Sequence, residues 1–140
     1  MKYLFILLFF FSTHCFSGVL SNKTLVCIDK VKYKNNDIDK SDYIFGYVFK
    51  DDSADYYYNT VNNKGLYTTN NISKIKYNIS FKFIIIQLEY GNLFINRKTL
   101  DHVYNNSITA TCEIVKNQQF FFDLLEERKT LLNNSVKSRK

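Results

Sequence analysis

Two groups of residues in this 140-residue chain have types that can do chemistry. Asp101-His102 sets an acid beside a histidine, the raw material of a general base. A hydrolase triad also needs a nucleophile in a constrained turn, and no Gly-x-Ser-x-Gly occurs. Adjacent strand residues point to opposite faces, so Asp101 is poorly placed to orient His102. The expected position of His102 is a solvated turn. The second group, Asp51-Asp52-Ser53-Ala54-Asp55, offers oxygen donors at alternate positions, as a calcium loop does. An EF-hand needs Gly at its sixth position and Glu at its twelfth; counted from Asp51, those are Tyr56 and Asn62. A solvated acidic turn is expected. Zinc wants several His and Cys ligands, and the chain has only His14, His102 and three cysteines. No catalytic residue, metal site or cofactor is assigned.

The cysteines are read through the first seventeen residues. Lys2 precedes an apolar run from Leu4 to Phe11, and Cys15-Phe16-Ser17 offers small residues for cleavage before Gly18. Residues 1–17 thus have the three parts of a secretory signal peptide. The apolar run is too short to span a bilayer. Cys15 as a lipidation site is the weaker alternative, because His14 stands where a small residue belongs. Export makes the protein periplasmic or secreted, with no transmembrane anchor after cleavage. In that oxidising setting Cys27 and Cys112 are expected to form a disulfide. A loop of that length removes on the order of 4–5 kcal/mol of unfolded-state entropy.

The formal charge of +6 rests on 16 Lys and only 3 Arg. The lysines are scattered among acids. Nucleic-acid sites favour Arg on a continuous basic stripe, so no nucleic-acid partner is expected. The 16 Asn and the absence of Pro and Trp follow from AT-rich codons. Asn-x-Ser/Thr triplets at Asn22, Asn71, Asn78, Asn105 and Asn133 are by-products of that bias in a bacterium, and glycan acceptors only in a eukaryotic host. Tyr56-Tyr57-Tyr58 and Arg97 remain as a possible binding surface. On a strand, Tyr56 and Tyr58 face one way and Tyr57 the other. Tyrosine suits pocket rims and interfaces but is equally ordinary strand residue. Arg97 is expected to pair with Glu89 across a hairpin or to meet an anionic partner.

These side chains need strands to hold them. Thr24–Asp29 reads as a first strand, and Lys30–Asp42 as a polar loop. Tyr43–Phe49 follows, with Gly46 as a bulge or a close-approach point, then a turn at Lys50–Ala54 and a strand over Asp55–Thr60. Asn62–Gly65 is a turn, from which Leu66–Thr69 pairs back. Ile75, Tyr77, Ile79, Phe81 and Phe83 alternate with polar residues; Ile84, Ile86, Leu88 and Tyr90 then take the other parity. Such a slip demands a bulge, a bend or a tight turn near Phe83–Ile85. Gly91-Asn92 makes a hairpin turn into Leu93–Lys98, and Ser107–Val115 alternates again, with Ile108, Ala110, Cys112 and Ile114 on one face. From Asn117, an N-cap, the period lengthens to that of a helix over 118–132, with an apolar stripe for the sheet and a basic tail. The prediction is a mainly β fold: an antiparallel sheet, sandwich or small barrel of about 7–8 strands with a C-terminal α-helix. By segment this is a signal peptide (1–17), a β-rich domain (18–116), and a helix with its tail (117–140).

The signal, Leu25-Val26-Cys27, Leu93-Phe94-Ile95-Asn96-Arg97-Lys98-Thr99-Leu100 and Cys112 together resemble small uncharacterised exported proteins of AT-rich bacteria. The resemblance covers the core from about residue 24 to 115, leaves out the long Tyr-rich middle and the C-terminal helix, and implies a periplasmic β-fold without a known activity. Periplasmic lysozyme inhibitors are similar in size and compartment, but their Ser-Gly motif before a tyrosine is missing. The functional expectation is a non-enzymatic exported domain that binds a protein or small ligand. The alternatives are a hydrolase-like enzyme whose site is assembled from distant residues, Asp101 or His102 among them, and an envelope-associated structural protein using the basic tail.

Overall fold

The structure, a computed structural model, describes residues 20–29 and 43–138. The expected signal peptide of residues 1–17 and the whole of the expected Lys30–Asp42 loop lie outside the described residues. Eight strands follow in order: β1 (Thr24–Asp29), β2 (Ile44–Phe49), β3 (Ser53–Val61), β4 (Tyr67–Ile79), β5 (Phe83–Leu88), β6 (Gly91–Asn96), β7 (Asp101–Tyr104) and β8 (Ser107–Val115). One helix, α1 (Gln118–Lys137), ends the chain. Each strand pairs antiparallel with the next, and β8 returns to β1, closing a barrel. Of the predicted alternatives, the small barrel with a C-terminal helix is what forms.

Period-two alternation puts the apolar set inside. Leu25, Phe45, Tyr47, Phe49, Ile75, Tyr77, Ile84, Ile86, Leu93 and Ile95 form the buried interior, with the Cys27–Cys112 disulfide among them. Cys27 and Cys112 sit directly opposite each other in the β1–β8 pairing, so the bridge staples the closing seam. Lys76, Asn78, Gln87 and Glu113 face out and are exposed. This is the reverse of a membrane-spanning barrel, whose apolar band lies outside. An outward row of Ile85, Phe94, Val103 and Ile108 crosses β5–β8, with Phe83 packed beside Phe94. No helix among the described residues is long and apolar enough to cross a membrane.

The helix begins where Asn117 caps it, the side chain accepting from the Gln119 amide. It buries Phe121 and Leu125 against the outer faces of Val26, Ile44 and Val48. Gly46 is a close-approach point: a Cβ there would lie 2.6 Å from the Phe121 ring and 2.4 Å from the Leu25 carbonyl oxygen. The helix continues beyond the predicted 118–132 because Asn133 anchors its last turns. Its amide oxygen accepts from Tyr67 N at 2.7 Å, and its nitrogen donates to Tyr67 O at 3.1 Å. That pair of bonds imitates a neighbouring strand and caps the start of β4.

Several local expectations are corrected. The parity slip is resolved by a tight turn at Ser80–Lys82, ahead of the predicted position. The five-residue face therefore breaks: Ile75, Tyr77 and Ile79 point inward, Phe81 is 99% exposed in the turn, and Phe83 packs outside against Phe94. The next hairpin turns at Glu89-Tyr90, with Gly91 (φ 136) already opposite Leu88. β4 runs unbroken through the polar stretch 70–74. A bulge in β8 beside His102 sends Ile108 outward, away from Ala110 and Cys112.

Candidate functional site

The barrel interior has two ends. The upper end is where β1 stops and β2 starts; the lower end is where β2 gives way to β3. Three tyrosines and one histidine gather in the upper half; the lower half holds the Phe49–Tyr77 ring pair, centroids 5.0 Å apart, and beside it a wall of aliphatic residues.

In the upper half, Tyr47, Tyr56 and Tyr58 stack, with ring centroids 5.0 Å apart at each step. Phe45 meets Tyr56 and His102 edge-on. His102 corrects the expectation of a surface turn: it lies in β7, faces inward opposite Ile95 and Ala110, and is only 6% exposed. Its Nε2 is 3.1 Å from the Tyr47 hydroxyl, and its Nδ1 is 2.7 Å from Thr109 Oγ1. The Thr109 hydroxyl in turn donates to the His102 carbonyl at 3.3 Å. Thr109 is the extra residue of the β8 bulge, which turns its hydroxyl toward the ring. One direction of donation fits all three contacts: Tyr47 O–H to Nε2, Nδ1–H to Thr109, and Thr109 O–H to the backbone. Desolvation by burial pushes the imidazole down to about 4. Burial likewise raises the Tyr47 hydroxyl well above its ordinary value, with Tyr56 adding to the effect. At neutral pH the ring is uncharged and both its nitrogens are spoken for. It joins strands and has no free lone pair to take a proton from a substrate.

The other sequence candidates separate. Tyr56 and Tyr58 line the interior, while Tyr57 faces outward under the helix, its ring 5.0 Å from Phe122. The three do not make a flat outward patch. Asp55 is buried and holds two positions together: Lys50 Nζ donates to it at 2.7 Å and the Lys74 amide at 3.0 Å. Burial alone would raise this carboxyl, but the Lys50 and Lys74 contacts outweigh it and hold it below its usual value. Asp101 accepts from the Thr99 hydroxyl and, as a neighbour in a strand must, points away from the His102 ring. Arg97 does not reach Glu89, because the two lie at opposite ends of the β5–β6 hairpin. Its Nη1 donates instead to the carbonyls of Ser80 and Phe81, at 3.0 and 3.3 Å.

Those two bonds hold Arg97 at the lower end. There a pocket of about 300 Å³ is lined by Leu20, Leu25, Ile79, Ile84, Leu100 and Ile114, with Lys23 and Arg97 completing it. Leu20, Leu25 and Ile84 are buried and make its floor; Lys23 and Arg97 are exposed and make its rim. Ile114 is 50% exposed although its position in β8 faces inward, because the space beside it is open. Leu100 enters from the β6–β7 turn in the left-handed region (φ 57). That conformation costs a non-glycine residue roughly 1–2 kcal/mol. The turn over-determines it: Leu100 N donates to Asn96 O at 2.8 Å, and Leu100 O accepts from Cys112 N at 2.9 Å. Sequence reasoning missed this site. Its lining comes from four separate stretches of chain, 20–25, 79–84, 97–100 and Ile114, and only Arg97 carried a signal.

No known protein family, curated protein or solved structure matches the chain.

Proposed function

We propose that the protein is a non-enzymatic, exported binding barrel that takes a small apolar-bodied ligand into its lower mouth. A small eight-stranded barrel has room for a side-chain filling or for one small ligand. Here the upper half is filled by rings, and the lower end keeps an open apolar space at the small end of the ligand-pocket range. That open mouth is the observation that carries the reading. The strained Leu100 on its wall supports it, since backbone outliers persist where surrounding structure holds them and concentrate at ligand clamps.

The chain has no Trp, so fluorescence of a neutral probe such as N-phenyl-1-naphthylamine can be followed without protein background. The purified oxidised protein should bind it saturably at one site, and Ile79→Trp, which fills the mouth, should abolish binding. No saturable signal, or an unchanged one in Ile79→Trp, would sink the reading. Export rests on residues 1–17 and is tested by sequencing the N-terminus of protein recovered outside the cytoplasm. Gly18 is the expected first residue, and an intact Met1 would refute it.

A further inference from the structure

We infer that the ligand of the lower mouth is an anionic single-chain amphiphile, a short alkyl carboxylate with its chain on the aliphatic floor and its headgroup between Lys23 and Arg97. This rests on the reading of the mouth as the ligand site and assigns its chemistry.

The lining is apolar except at two rim positions, and both are cations. Neither makes an ion pair among the described residues. Lys23 uses only its backbone groups in hydrogen bonds, and Arg97 spends Nη1 on two carbonyls. The only acid close in sequence to the lining on the β6–β7 side is Asp101, which is occupied with Thr99. Glu113, beside Ile114, is outward-facing and exposed. Asp51, also at the lower end, accepts from the Ser21 hydroxyl. Two positive charges without an ion pair among the described residues, over an apolar floor, match a ligand that is negative at one end and greasy at the other.

Arg97 also narrows the headgroup. A guanidinium has five N–H donors in a rigid planar fork. With Nη1 fixed by Ser80 and Phe81, the Nε and Nη2 donors remain, and that edge of the fork accepts a carboxylate through two parallel bonds. The carbonyl anchors freeze the side chain before any ligand arrives, which lowers the ordering cost of binding. The small volume of the mouth suits one short chain and not a two-chain lipid.

The test is isothermal titration of the purified oxidised protein with octanoate, 1-octanol and octyltrimethylammonium at neutral pH. Methyl NMR shifts of Ile79, Ile84 and Ile114 report where each probe sits. Octanoate should bind at least about ten-fold more tightly than 1-octanol, and the cation weakest. Arg97→Gln and Lys23→Gln should each weaken octanoate several-fold and leave 1-octanol unchanged. The double variant should bring octanoate down to the level of the alcohol. Because Arg97 also ties down the Ser80–Phe81 turn, a salt series on the unaltered protein gives an independent reading: octanoate affinity should fall with added NaCl while that of 1-octanol holds. Equal binding of octanoate and 1-octanol, or no salt effect, overturns the carboxylate assignment and leaves the mouth as a ligand site. No binding of any of the three overturns both.

Discussion

At the upper end Tyr47, Tyr56 and Tyr58 stack in contact, and His102 closes the row with a hydrogen bond on each ring nitrogen. At the lower end six aliphatic side chains line an open space, under two cations that make no ion pair among the described residues. Both ends belong to one interior with one alternation pattern. They differ in side-chain volume and in hydrogen-bond capacity. Rings with polar tips can fill a barrel only if each tip finds a partner, and a tip that finds one locks its neighbours. Branched aliphatic residues need no partner and leave the space between them unassigned. If the lower mouth is the ligand site, the locked aromatic row above contributes stability and the open aliphatic wall below, beside the packed Phe49–Tyr77 pair, contributes binding. Variants that unfold the protein should lie above, and those that change ligand affinity without unfolding it should lie below.

The largest effect should come from the seam near the upper end. Cys27 and Cys112 are 85 positions apart, and losing a bridge over such a loop removes about 4–5 kcal/mol of stability. Urea unfolding of Cys27→Ala/Cys112→Ala, or of the reduced protein, should show that loss. A drop below about 1 kcal/mol would mean that strand pairing alone closes the barrel.

His102 gives the next effect, through pH. Its folded value of about 4 lies below the ordinary 6.5, so the folded state resists protonation. Above pH 6.5 neither state takes the proton and the full stability is present. As pH falls from 6.5 towards 4 only the unfolded chain is protonated, and stability declines by about 3 kcal/mol in all. Below that window the folded state takes the proton too and the slope ends. Asp55, held below its usual carboxylate value, loses its contribution only in stronger acid, so the two windows separate. Urea midpoints between pH 7 and pH 4 should show the decline in the unaltered protein and none in His102→Gln. A slope that persists in the variant would place its origin elsewhere.

Asn133→Ala should cost about 1–2 kcal/mol, because both of its bonds to Tyr67 are lost and that strand edge is left uncapped. Thermal unfolding measures the loss, and amide exchange at Tyr67 should accelerate with it. The same double engagement bears on the Asn-x-Ser triplet at Asn133: a glycan on that nitrogen would displace its bond to the Tyr67 carbonyl.

Much of this division was legible along single strands, and little of it between strands. Thr24–Asp29 and Ser107–Val115 were readable with their true bounds because one face is apolar along most of each strand. The 70–74 part of β4 was not, since it borders the bulge opposite Asp55 and carries a single apolar residue, Ile72, which is itself exposed. β7 has only four residues, and Asp101-His102 looks like a turn until Tyr47, 55 positions away, supplies the partner that lets the histidine be buried. The Thr109 bulge reversed the side of Ile108, and no local pattern announces it. The lower mouth was the least legible feature, being a vacancy among residues that read individually as ordinary core.

Leu100 offers the smallest and most discriminating change. Leu100→Gly removes a half-buried side chain, worth roughly 1–1.5 kcal/mol of burial, and relieves a left-handed residue of roughly 1–2 kcal/mol of strain, while added backbone freedom costs about 1 kcal/mol. These terms nearly cancel, so the urea midpoint should move by less than about 1 kcal/mol. Probe binding at the lower mouth should nevertheless weaken, because a wall of the pocket is gone. A variant that keeps its affinity would show that Leu100 is held in strain for the turn alone. One that unfolds would show that the lower end is as tightly specified as the upper, and the contrast between them would fail.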